Sequence, residues 1–158
     1  MGGRVGAVAK ALGTPLMPWQ QHVADVALEV DPATGLLAYR EIDLTVPRQS
    51  GKTTLLLAVM VHRALRLGAP QNIAYTAQTR NAARKKWEDE HVKALEASTF
   101  GKRGLFTVRR SNGSEAIQWV NGSKHSFEAP TETASHGETL DLGAVSYTHL
   151  TLPTICSV

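Results

Sequence analysis

A glycine, a lysine and a hydroxyl in succession, opening an apolar helix, form a set of groups suited to holding phosphate. Residues 45–57 of the chain read TVPRQSGKTTLLL, and Gly51-Lys52-Thr53 stands at their centre. Gly51 would let the backbone approach phosphate oxygens with no side chain in between. The first N–H groups of a helix point toward such oxygens, and the helix terminus adds partial positive charge. Arg48, Gln49, Ser50, Gly51, Lys52, Thr53 and Thr54 are the candidate phosphate-binding residues. Lys52 is of the type that reaches β- and γ-phosphates, and the Thr53 hydroxyl of the type that joins the shell of Mg²⁺.

The usual pattern carries a further glycine with four residues between it and Gly51, where this chain has Val46. Gly-Lys-Thr alone also occurs as an ordinary turn before a helix, so context has to separate the two readings. The context here is a strand before the loop and a buried helix after it. Leu37 to Val46, with Ile42, Leu44 and Val46 alternating, predicts a strand that ends at Pro47. Lys52 to Leu67 is apolar on nearly every side, which predicts a helix buried against a sheet.

The remaining elements follow the same logic. Trp19 to Val30 carries apolar residues at helical spacing and stops at Asp31-Pro32. NIAYTA is a short strand, and Thr79 to Leu95 is a long polar helix with Arg80, Arg84, Lys85 and Lys86 near its start. Short strands are expected over residues 105–128, with turns at Ser111-Asn112-Gly113 and at Asn121-Gly122. Met1 to Pro15, rich in Gly and Ala, gives no clear structural signal. Strand, helix, strand, helix and further strands describe an α/β sheet.

Composition narrows the class. The chain has 158 residues, 42% hydrophobic and 20% charged with net charge +3, which suits one globular domain or a piece of a larger one. The charge is weak support for a polyanion partner. The longest apolar run falls far short of the ~20 residues of a spanning helix, and no signal peptide is expected. A single cysteine, Cys156, excludes an internal disulfide, and the six histidines show no metal-ligand spacing. A protein that is not secreted and has no membrane partner is expected.

VPRQSGKT resembles the deviant phosphate loop of the large terminase subunit of tailed bacteriophages, in which the first glycine is often replaced. The resemblance implies a RecA-like P-loop NTPase with a mainly parallel sheet flanked by helices, ATP and Mg²⁺ as cofactors, and Arg48 and Lys52 as catalytic residues. Arg48 would face the γ-phosphate; the alternative is a loop arginine bound to a carboxylate. MPWQQHV is similar to the upstream adenine-recognition element, where Gln20 would bond the base edge and Trp19 pack nearby; a core Trp19 and a surface Gln20 remain the alternative. IAYTAQTRNAARKKWED resembles the next strand and helix, whose Arg80, Arg84 and Lys85 read first as a solvated face and second as a DNA-facing one. SEAIQWVNGSKHSFEAPTETASHGETLDL resembles the run toward the second ATPase motif, and His136-Gly137 takes no assigned role.

In that family the strand begun at Asp141-Leu142 ends in Asp-Glu. Here Ser146 and Tyr147 hold those places, and neither supplies a carboxylate. The ten residues VSYTHLTLPT resemble the translation of a transposase-based sequencing-library adapter, so residues 145–158 read as a non-native tail, against a genuine divergent C-terminus. The expected organisation is then an N-terminal extension at 1–15, a partial P-loop ATPase domain at 16–144 with an incomplete sheet, and the tail. The chain is expected to bind nucleotide poorly, hydrolyse it hardly at all and be unstable.

The function implied is the ATP-driven motor of phage DNA packaging, without its nuclease domain. The resemblance also implies double-stranded DNA, a portal protein, a small terminase subunit and a homo-oligomeric ring as partners of the parent, in the host cytoplasm. The alternatives are a nucleotide- or nucleic-acid-binding module without hydrolysis, or another P-loop translocase or helicase.

Overall fold

The computed structural model describes residues 1–66, 68–128, 139–146 and 154–157, with the backbone alone at 66 and 154–157. The chain opens with a helix in the Gly- and Ala-rich stretch that carried no clear structural signal: α1, Gly2–Ala11, followed by α2, Pro18–Ala27. Val5, Val8, Ala9 and Leu12 are buried in the main core, packed with α2 and with α3, Lys52–Arg66. The glycines that lower the helix propensity of α1 are what allow the packing. A Cβ at Gly2 would fall 2.6 Å from the Asp25 backbone, and one at Gly6 would fall 2.4 Å from Gln21 Oε1.

The sheet contains β1, Glu41–Leu44; β2, Asn72–Thr76; β3, Phe106–Arg109; β4, Ala116–Trp119; β5, Lys124–Glu128; β6, Leu142–Val145; and β7, Thr154–Ser157. Their order is β1-β7-β6-β2-β5-β4-β3. Only β2 with β5 and β2 with β6 are parallel; the other neighbours run antiparallel. The sheet is therefore mixed, correcting the expectation of a mainly parallel one. The cause on one side is local: turns at Gly113 and Gly122, both at positive φ, fold β3, β4 and β5 into consecutive hairpins. On the other side β7 runs against both β1 and β6.

β1 is shorter than the expected Leu37–Val46. Leu37 instead bridges back to Val30, and the Ala38 N–H donates to the Glu29 carbonyl, closing the turn after α2. β6 is located by its first neighbour. Asp141 Oδ2 accepts from the Asn72 N–H at 2.8 Å, and Arg63 of α3 donates to the Asp141 carbonyl at 3.2 Å.

Helices cover both faces of the central strands. Ile73, Ala74 and Tyr75 are all buried, as are His125, Ser126 and Phe127, although side chains alternate between faces. α3, apolar as predicted, buries Leu55, Leu56, Leu57, Ala58, Met60, Val61 and Ala64. The long polar helix begins at α4, Arg80–Lys86, passes through a π-helical turn at Trp87–Val92, and ends as α5, Lys93–Ala97. Thr79 caps it by accepting from the Ala82 N–H at 3.1 Å. A short helix, α6, Thr99–Lys102, leads into β3.

The π turn carries Trp87 and His91 onto the sheet. Trp87 packs on Phe127 with ring centroids 5.3 Å apart, and Tyr75 meets His91 edge-on at 4.7 Å. His91 Nδ1 and His125 Nε2 lie 3.3 Å apart, both rings fully buried. Burial holds His91 down at about 3, with Lys86 adding to the effect, and His125 well below its ordinary value. Both rings are accordingly neutral near pH 7.

Candidate phosphate-binding site

The loop between β1 and α3 bends through two left-handed residues, Gln49 at φ 59° and Gly51 at φ 88°. Glycine adopts that region freely, but a glutamine there is strained by the standards of ordinary loops. Alternating backbone handedness turns successive N–H groups toward one concave side, the geometry of an anion nest. Ser50 Oγ donates to the Pro47 carbonyl at 2.5 Å and holds the bend from within. The Gly51 carbonyl accepts from the Leu55 N–H at 3.3 Å and so begins α3. Lys52 opens the helix, and its Nζ donates to the Val46 carbonyl at 3.1 Å, crossing the loop it would serve.

The other sequence candidates fall around this bend. Arg48 and Gln49 are exposed, while Lys52, Thr53 and Thr54 are half-buried in the first turn of α3. Gln20, which was to be either a base reader or a surface residue, is 1% exposed. Its Oε1 accepts from the Met17 N–H at 2.7 Å and its Nε2 donates to the Gly51 carbonyl at 2.8 Å. Trp19 is partly buried and packs against the core. Sequence spacing gave no hint of the Gln20–Gly51 bond, because thirty residues separate the partners.

The loop fits a polyphosphate: a left-handed glycine, a helix N-terminus and a lysine converge on it. The fit to Mg²⁺ is partial. Thr53 offers one hydroxyl oxygen, while Asp141 is bonded to the Asn72 N–H. Ser146 follows β6, where it is buried, and its N–H donates to the Thr76 carbonyl at 2.9 Å. Tyr147, His136 and Gly137 lie outside the described residues. Among the described residues no group of three or more His, Cys, Asp or Glu could hold a metal ion.

The basic start of the long helix resolves into a structural pairing. Glu115, its side chain 3% exposed, receives Arg80 at 3.3 Å and Arg84 at 3.6 Å. It also accepts from the Gly113 N–H at 2.9 Å. Burial pushes the Glu115 carboxyl up, but the backbone bonds from its own N–H and that of Gly113, with both guanidinium groups, hold it below its ordinary value. The Arg80 guanidinium also lies over the Phe127 ring, 5.3 Å from its centroid. Sequence reading missed Glu115, which no periodicity marks. No described helix is long and apolar enough to cross a membrane.

Three comparisons bear on this site. A family described as "Terminase large subunit, T4likevirus-type, N-terminal" matches residues 44–143, from the end of β1 into β6. The crystal structure of the HK97 bacteriophage large terminase superposes with a TM-score of 0.69 at 18% identity. That match covers 91% of this chain and 30% of the other, so the chain spans less than a third of that structure. Comparison with curated proteins finds no match.

Proposed function

Since the chain belongs to the terminase large-subunit family, in its N-terminal region, we propose that its phosphate loop binds the polyphosphate of ATP within a DNA-packaging motor. The observation that carries this reading is the bend itself, with Gln49 and Gly51 left-handed and Lys52 opening α3 behind them. The backbone N–H groups of Ser50, Gly51 and Lys52 would take the phosphate oxygens, and the Lys52 ammonium would neutralise them. Thr53 would give its hydroxyl to Mg²⁺, and Thr54 would close the first turn. Arg48, exposed on the approach, would set its guanidinium against the terminal phosphate. Bound Mg²⁺ would supply charge neutralisation between phosphates.

A second reading is favoured by Ser146, the residue that follows β6. A serine in that place carries no charge for the shell of a metal ion, and Tyr147 after it is not a base near neutral pH, so the chain as it stands would bind nucleotide and turn it over little. Residues 145–158 are proposed to be a non-native tail on the partial ATPase domain, on the strength of their adapter-like sequence. In the intact motor, double-stranded DNA, a portal protein, a small subunit and a ring of copies would be the partners, in the host cytoplasm. Another translocase or a helicase is the weaker alternative, since the family match takes in the whole loop and runs on through β5 to the start of β6.

The test is binding of a fluorescent ATP analogue to residues 1–158, with hydrolysis measured in parallel. Saturable binding that Lys52→Ala weakens at least tenfold, without turnover, is the expected result. Binding indifferent to Lys52→Ala would overturn the phosphate-loop reading, and turnover lost in Lys52→Ala would overturn the claim of inactivity.

A further inference from the structure

We infer that the two edges of the sheet are complementary, and that β3 of one copy of this chain pairs with β1 of the next. The inference goes beyond the phosphate-loop reading and does not depend on it. β1 and β3 stand at opposite ends of the strand order, so each has a strand on one side alone among the described residues. The Leu105 carbonyl accepts the Val120 N–H at 3.1 Å, just ahead of the paired residues of β3 and β4. Alternation along the strand then turns the N–H and C=O of Phe106 and Val108 toward the free edge. Such an open row of backbone groups is a template for a further strand.

The side chains select which strand fits. Arg109 of β3 lies opposite Ala116, Ala116 opposite Ser126, and Ser126 opposite Ala74. The same row continues from Ala74 to Gly143, to Ser157 and to Glu41 of β1. Residues opposite one another share a face, so Arg109 and Glu41 sit on one face of the sheet, in one row, at its two ends. Asp43, two residues on, shares the face of Glu41. Glu41 and Asp43 are exposed, as are Arg109 and, ahead of β3, Lys102 and Arg103. Among the described residues Arg109, Glu41 and Asp43 take part in no ion pair. Pairing β3 with β3 would set arginine against arginine, and β1 with β1 would set carboxylate against carboxylate. Only β3 with β1 joins opposite charges. Exposed apolar side chains flank both edges: Leu36 and Tyr39 just ahead of β1, and Val120 beside the start of β3. A contact between unlike edges is heterologous, so copies add head to tail.

The test is sedimentation of residues 1–158 over a wide range of concentration, at low and at high salt, with hydrogen exchange to place the contact. The expected result is association that grows with concentration and weakens with salt. Exchange at Glu41–Leu44 and Phe106–Arg109 should slow as it forms. Arg109→Glu and Glu41→Lys should each weaken association at least tenfold, because each sets like charges against one another at the contact. The double variant Arg109→Glu/Glu41→Lys exchanges the two signs and should regain most of the loss. Circular dichroism follows the fold of each variant, and Arg109→Gln, which only removes the charge, stands in for a reversal that unfolds the chain. A wild-type chain that stays monomeric throughout would overturn the inference. Association that survives both single variants would overturn it too, and so would losses that the double variant does not recover, since either places the contact elsewhere.

Discussion

Lys52 Nζ sits 3.1 Å from the main-chain oxygen of Val46, the residue that stands where a phosphate loop usually has its first glycine. The lysine thus closes a ring across the loop, and the backbone of Val46 serves although its side chain departs from the usual pattern. A valine suffices at this position because the bend is made later, at Gln49 and Gly51. A polyphosphate would draw the ammonium away from a neutral acceptor to charged ones, an exchange that favours the ligand.

Removing this lysine should therefore cost binding and little else. Lys52→Ala is expected to keep the wild-type melting temperature within a few degrees, because one partly exposed hydrogen bond is worth about 1 kcal/mol. Tripolyphosphate affinity is expected to fall at least tenfold. Calorimetric melting and titration on the same sample check both halves.

Glu115 should behave as a stability residue. Glu115→Ala removes the acceptor shared by Arg80, Arg84 and the Gly113 N–H, and should lower unfolding free energy by about 1–3 kcal/mol. Arg80→Ala should also destabilise, and the double variant should lose less than the sum. Denaturant titrations give the cycle. DNA affinity falling in Arg80→Ala with stability unchanged would instead make that arginine a DNA contact.

The His91–His125 pair predicts acid lability. Both folded-state values lie below the ordinary histidine value, so the unfolded chain takes up protons that the folded chain refuses. Stability is full above about pH 6.5 and falls as pH drops, by about 1.4 kcal/mol per pH unit for each ring. For His91 the loss continues down to its folded value of about 3. The double variant His91→Leu/His125→Leu removes both partners together and should flatten the dependence between pH 6.5 and 5, read as melting temperature against pH. An equally steep slope in the variant would place the acid sensitivity elsewhere.

The seam at β7 predicts a local effect of trimming the chain. β1 pairs with β7 and with no other strand among the described residues. A chain ending at Ser146 should exchange the amides of Glu41–Leu44 faster than the full chain does. The amides of β2, between β5 and β6, should be unaffected. Hydrogen exchange followed by mass spectrometry resolves the two strands.

Much of the loop and its neighbours was legible because local chemistry decided them. The greasy run after Gly51 became α3, NIAYTA gave β2, and Asn121-Gly122 made the turn between β4 and β5. What stayed hidden depended on long-range fit. The glycines of α1 look like poor helix formers until Asp25 and Gln21 are seen against them. Glu115 looks like a loop acid until the fold brings Arg80 and Arg84 to it. The buried bond from Gln20 to Gly51 joins segments that share no periodicity, and strand order on the β1 side follows from pairings that no single segment encodes.

The π turn at Trp87–Val92 has a consequence for counting. Ala83, Trp87, His91 and Leu95 are all buried, at steps of four residues. On an ordinary α-helix each such step advances the side chain by about 40° beyond a full turn, so the stripe would spiral off the sheet. The wider turn resets the phase and keeps it aligned. Within this stretch the molecule carries a one-residue surplus of chain. Deleting one exposed residue there, Asp89 or Glu90, should let the wide turn relax to an ordinary α-helix: the eleven steps then left between Ala83 and Leu95 come within about 20° of three full turns, so Leu95 stays on the sheet.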